Sequence, residues 1–255
     1  MCSSRGCGGS YIAIHKLVNL RPKGRENGGV QTEAENPVRM AQPRTIKPNR
    51  KGPKRSVSRG SVFLNIPYDD AFENLLLAYI SGLSAFGFVP HAALEIPFSK
   101  RRLERIVSLI ESSESSIHDM SRVQLDRNAP RTPRFNMPFE LGVTVGIRSA
   151  KHSWIVCETK RHRIKKSLSD IDGTDAYIHD GTVRGVFREL CAAFVRTRPK
   201  PTVAQMMRIY RVLRGDFKAT LRSAGAKDPF NARVFSDLCI IAKAAADEIV
   251  LPGKD

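Results

Sequence analysis

Between residues 61 and 196, short runs suited to β-strands alternate with longer segments of helical periodicity. That alternation restricts the chain more than any other feature. A strand, helix and strand in succession close as a right-handed parallel crossover, so repeated units build a parallel sheet covered on both faces. The strand-like runs are SVFLNI (61–66), FVPHAAL (88–94), SSIHDM (115–120), SWIVCE (153–158) and DAYIHD (175–180). Pro90 cannot donate to a ladder, which points to a bulge or a sheet edge for the second run.

The intervening helices show apolar stripes. Residues 71–86 place Phe72, Leu75, Leu76, Tyr79, Ile80 and Leu83 on one face, and residues 102–110 place Leu103, Ile106, Val107 and Ile110. Pro138 opens a third helix running to about residue 148, because its missing N–H costs nothing in a first turn. A fourth covers 183–195. The expected fold is α/β, a flavodoxin-like doubly wound parallel sheet of about five strands in residues 61–196.

Arg198-Pro199-Lys200-Pro201 breaks this pattern, and a C-terminal helical extension (197–255) follows. Its stripes are Met206, Met207, Tyr210, Leu213, Phe217 and Leu221 in residues 203–223, then Val234, Leu238, Ile241, Ala245 and Ile249 in residues 233–250. These helices are expected to pack on the sheet domain or on a partner chain.

Residues 1–60 differ in character. Of the 42 Lys and Arg that give the chain its net charge of +17, 13 fall here against three acids, among five prolines and many glycines and serines. Such a segment buries too little apolar surface to offset its ordering entropy, and a disordered basic arm is expected. Its cations suit nucleic acid in a sequence-independent, salt-sensitive way. Only Tyr11 is aromatic there, so it offers no stacking platform for single strands. Met40 is a second candidate start, which would leave residues 1–39 outside the native protein.

No secretory leader is expected, since the run 11–18 is short and interrupted by His15 and Lys16. The uncharged stretch 74–94 matches a membrane span in length, but Gly82, Gly87, Pro90 and His91 divide it into a helix and a strand. The expected location is the cytoplasm, with no membrane partner. Cys2, Cys7, Cys157, Cys191 and Cys239 are odd in number, without metal-type spacing, and are expected reduced. The arm glycines follow no strand, so no phosphate-cradling loop is expected, nor any metal or other cofactor.

In an open parallel sheet, ligands bind beyond the carboxyl ends of the strands. The polar residues expected there are Asn65, Tyr68, Asp69 and Asp70, then Asp119, Ser121 and Arg122, then Arg134, Asn136 and Glu140 before and within a helix, and Glu158 and His179 after later strands. Tyr68 and Asp69 are placed to meet sugar hydroxyls or a base edge; Asp70 suits a helix cap. Arg122 and Arg134 fit a phosphate or a salt bridge holding their loop. Five formal cations in residues 160–166 would attract phosphate, and also suit a solvated loop. His179 is a candidate proton shuttle. Glu140, read as a first-turn residue, is held ionised by the helix dipole, worth about 0.3–1 kcal/mol. That suits a nucleophile or a cation stabiliser, while the residue taken alone reads first as one that merely stabilises a helix terminus.

The succession of strand, helix, strand, helix, a strand ending Ser116-Ile117-His118-Asp119, and then Asn136 with Phe139-Glu140-Leu141-Gly142 resembles the nucleoside 2-deoxyribosyltransferase-like proteins and the related TIR-like domains. The likeness spans residues 61–195, and its specific part is the strand-end Asp and the N-x-x-x-E-L-G pattern. It implies N-glycosidic-bond chemistry of hydrolase or transferase type, with Glu140 as nucleophile at the ribosyl carbon and Asp119 as orienting carboxylate. Asn65, Tyr68, Asp69, Ser121, Arg122, Asn136 and His179 would surround a nucleoside or nucleotide, NAD entering as a substrate. TIR-like relatives often complete their site by assembly, so a homo-oligomer is also implied. Residues 124–135, the basic run 160–166 and the C-terminal helices lie outside the pattern and leave the substrate open. A non-catalytic nucleotide-sensing module and a basic nucleic-acid-binding accessory protein are the alternatives.

Overall fold

A computed structural model describes residues 60–96, 101–123, 133–147, 153–168, 171 and 173–250. The basic arm with Cys2, Cys7 and Met40 lies outside the described residues, as does the loop 124–132. Five parallel strands form one sheet: β1 (Ser61–Asn65), β2 (Val89–Ala92), β3 (Ser115–Asp119), β4 (Ser153–Glu158) and β5 (Tyr177–Ile178). Their order is β2-β1-β3-β4-β5. This is the flavodoxin-like doubly wound order, whose switch point lies between β1 and β3. β2 is an edge strand, so Pro90 removes no interior ladder bond.

Alternation along the strands sends side chains to two different layers. Val62, Leu64 and Ile117 join one core with α1 (Glu73–Ala85) and α5 (Val183–Ala193). Phe63 turns the other way, towards Ile106 and Ile110 of α2 (Arg102–Ser112). Val156 meets Met137 and Leu141 of α3 (Asn136–Ile147) on the same side, together with Ile164 of the short α4 (Arg163–Ser167). α1 is buried nearly all round because a second helical layer lies over it, formed by α6 (Val203–Ala224) and α7 (Ala232–Ile249). Met206, Leu213, Phe217, Val234 and Leu238 extend the core that begins at the sheet. Each large apolar side chain shut away here contributes about 1.5–3 kcal/mol.

The ends of the helices follow local chemistry. Thr202 caps α6 in a capping box with Gln205, and Gly225 ends it in the left-handed conformation. Thr182 caps α5 through Gly185 N. A side chain at Gly185 would put its Cβ 1.8 Å from the carbonyl oxygen of His179, so only glycine lets α5 start this close to the end of β5.

Four expectations are corrected. α3 begins at Asn136, two residues before Pro138, which places Glu140 in the second turn. β5 is two residues long, shorter than 175–180. The basic run 160–166 is no plain loop, since Arg163 starts α4. Leu103, placed by its periodicity on the buried face of α2, is 48 % exposed.

Candidate active-site groove

A groove of about 840 Å³ opens beside the carboxyl ends of β1 and β2, between α2 and α3. Its polar lining is Asn65, Tyr68, Arg102, Arg134, Asn136 and Glu140. Phe135 and Phe139, one helical turn apart, are 67 % and 53 % exposed at its wall, with Leu103 also lining it. Large apolar groups exposed together around a few polar ones mark a ligand site.

Asn65 anchors the groove to the sheet. Its amide donates to the Met137 carbonyl at 2.8 Å and lies 3.0 Å from His118 Nδ1, fastening the first turn of α3 to the end of β1. His118 Nε2 in turn lies 2.9 Å from Ser116 Oγ. With the amide donating to Nδ1, the imidazole hydrogen is assigned to Nε2. Asn136, one residue from this anchor, lines the groove from an exposed position.

Glu140 is half-buried, and loss of solvation pushes its pKa up to about 7, with the Arg102 guanidinium opposing the rise. The helix dipole, weak and confined to the first turn, does not offset this. The expectation of a carboxylate fully ionised at neutrality is therefore corrected: near pH 7 Glu140 exists in both forms. Burial and the neighbouring Glu140 also raise the pKa of Tyr68, so its phenol stays protonated. Arg102 is held in the wall by Nη1 donating to the Ile96 carbonyl at 2.5 Å and Nη2 to that of Ala93 at 3.1 Å.

Asp69 Oδ2 accepts from Arg122 Nε at 2.8 Å and from Arg134 Nη1 at 2.7 Å. One carboxylate thus ties both arginines to the β1 loop, and its Oδ1 is buried without a hydrogen bond among the described residues. Arg134 lines the groove, whereas Asp69 and Arg122 do not.

Asp119 sits elsewhere. It shares its parity with Ile117, so it faces α1, opposite to the face that α3 covers. Tyr79 of α1 donates to Asp119 Oδ2 at 2.8 Å, and Ser121 N donates to Oδ1 at 2.9 Å. His179 Nε2 lies 3.0 Å from Oδ2, but off its N–H direction, while Nδ1 accepts from Gly181 N. Asp119, Tyr79 and His179 are closed to solvent, so this cluster braces β3, α1 and the end of β5. The structure does not bring Asp119, Ser121 or His179 into the groove with Glu140.

At the ends of β4 and β5 a second groove of about 540 Å³ is lined by Lys160, Arg161 and His162, with Asp175, Glu189 and Glu158 on its other walls. Glu158 is buried against Arg163 through two hydrogen bonds of 2.8 and 2.6 Å, and Arg163 also donates to the Met120 carbonyl. The basic run therefore spends one cation, Arg163, internally.

Among the described residues no group of three or more His, Cys, Asp or Glu is placed to hold a metal ion, and no helix is long and apolar enough to cross a membrane. Cys157, Cys191 and Cys239 are unpaired. Arg102 and the Phe135–Phe139 pair are groove residues that the sequence reading did not single out. The i, i+4 spacing of two aromatics around Glu140 was the available signal. The fold and groove define a parallel α/β protein with an open cleft beside the carboxyl ends of β1 and β2. Comparison with family models, characterised proteins and solved structures finds no match to the chain.

Proposed function

We propose that the chain is an N-glycosidic-bond enzyme, hydrolase or transferase, acting on a nucleoside or nucleotide with Glu140 at the anomeric carbon. The observation that carries this reading is the Glu140 carboxylate in an aromatic-rimmed groove beside the carboxyl ends of β1 and β2. Phe135 and Phe139 offer the apolar surface that a base requires. Tyr68, Asn65 and Asn136 supply hydrogen-bonding groups for a sugar or a base edge.

The ionised carboxylate adds to C1′, or stands against its developing positive charge, as the C1′–N bond breaks and the electron pair leaves with the base. A base that leaves as an anion takes a proton from solvent, whereas a cationic one such as the nicotinamide of NAD leaves neutral and takes none. Water then gives its hydroxyl to C1′ and releases the proton, regenerating the carboxylate; an acceptor base in place of water makes the reaction a transfer. NAD contains a bond of this type and falls within the substrate class.

Product analysis by liquid chromatography and mass spectrometry tests the reading. The full chain and Glu140→Gln are incubated, at low and high protein concentration, with NAD, nucleosides, nucleotides and acceptor bases. Release or exchange of a base, lost in the variant, is the expected result; intact substrates throughout would overturn it. The burial of Asp119 favours a second reading, a nucleotide-binding module, since it leaves one carboxylate in the groove where two commonly serve glycosyl hydrolysis. That module would gain thermal stability from ligand in both proteins without turnover.

A further inference from the structure

Among the described residues, the charged side chains lining the groove are Arg102, Arg134 and Glu140, two cations against one acid. Arg102 is held in the wall by bonds from its terminal nitrogens to the Ile96 and Ala93 carbonyls. Arg134 shares a single oxygen of Asp69 with Arg122, so two guanidiniums face one carboxylate and a net positive charge remains beside the groove. The bond at Nη1 fixes the guanidinium plane at the groove edge, on the residue immediately before Phe135.

We propose that this groove selects a phosphate-bearing nucleotide over the free nucleoside, with Arg134 as the phosphate anchor. A guanidinium presents a planar fork matched to phosphate oxygens, and one pre-oriented by Asp69 loses little freedom on binding. The proposal rests on reading the groove as the nucleoside site, because the base would occupy the Phe135–Phe139 wall next to that anchor. Arg122 supplies a control, since it makes the same ion pair with Asp69 without lining the groove.

Calorimetric titration of the full chain with adenosine, guanosine, cytidine and thymidine, each against its 5′-monophosphate, tests this. At least one monophosphate is expected to bind about tenfold or more tightly than its nucleoside, the margin of a charge-assisted hydrogen bond. Arg134→Met should bring that ratio close to one, while Arg122→Met keeps most of it. Equal affinities, a preference that survives Arg134→Met, or no binding by any probe would overturn the proposal. Base release measured on the same pairs separates the two claims. Cleavage without phosphate preference leaves the glycosidic reading and removes this one; Arg134-dependent binding without base release does the reverse.

Discussion

Tyr79 donates its phenolic hydrogen to Asp119 Oδ2 over 2.8 Å, and both side chains are closed to solvent. Burial and the Asp119 carboxylate together push the Tyr79 pKa well above its ordinary value, so the phenol remains a donor. The bond ties the end of β3 to α1 behind the sheet, on the side away from Glu140.

Asp119→Ala strands the Tyr79 hydroxyl and the Ser121 N–H in the interior. A loss of about 3–5 kcal/mol is expected, enough to lower Tm by roughly 10 °C in a chain of this size. Asp119→Asn, which keeps an acceptor, should lose less. Thermal unfolding followed by circular dichroism decides it: a Tm for Asp119→Ala equal to that of the parent would show that the cluster does not brace the fold.

Glu140 sets the pH dependence of turnover. Its carboxylate must be ionised to act at the anomeric carbon, and its pKa lies at about 7. With any cleaved nucleotide, kcat/KM is expected to climb through that pH and level off above it. A profile that falls over the same range would assign Glu140 the role of a proton donor.

The same group affects stability in the opposite sense. Its folded pKa lies above the ordinary carboxylate value of 4.5, so between pH 4.5 and 7 the native state holds more protons than the unfolded one. Stability contributed by Glu140 is complete below that window and falls as pH rises through it, by about 1–3 kcal/mol. Glu140→Gln carries no titrating group there. The variant should melt progressively higher than the parent as pH is raised from 5 to 8; a constant difference between the two curves would contradict the assignment.

Gly185→Ala drives a methyl group to within 1.8 Å of the His179 carbonyl oxygen, a backbone atom that cannot move alone. A cost of about 1–3 kcal/mol is expected from displacing α5 against β5. Chemical denaturation gives the number, and an unchanged midpoint would mean that α5 starts farther from the strand.

The architecture was readable because each level of the sequence agreed with the next. β4 has the predicted bounds, and of the two placements that Pro90's missing donor left open, a bulge or a sheet edge, β2 takes the edge. The location of Asp119 was half readable: its parity with Ile117 is plain in the chain, but which helix waits on that face follows only from strand order. Glu140 was picked out as a residue, while its ionisation depended on burial between α2 and α3, which no local pattern encodes. Arg134 and Arg122 were recognised as candidates for an ion pair, yet their shared partner, Asp69, lies 65 and 53 residues away in sequence. Such pairings arise from tertiary approach alone.

The layer formed by α6 and α7 has a bearing on biosynthesis. Leu75, Leu76 and Ile80 of α1 are completely or almost completely enclosed, in a core that also holds Met206 and Val234, residues translated more than a hundred positions later. A nascent chain that has released the sheet strands still carries one side of α1 uncovered until α7 leaves the ribosome. That side of α1 is the apolar surface the α/β segment exposes until α6 and α7 dock on it.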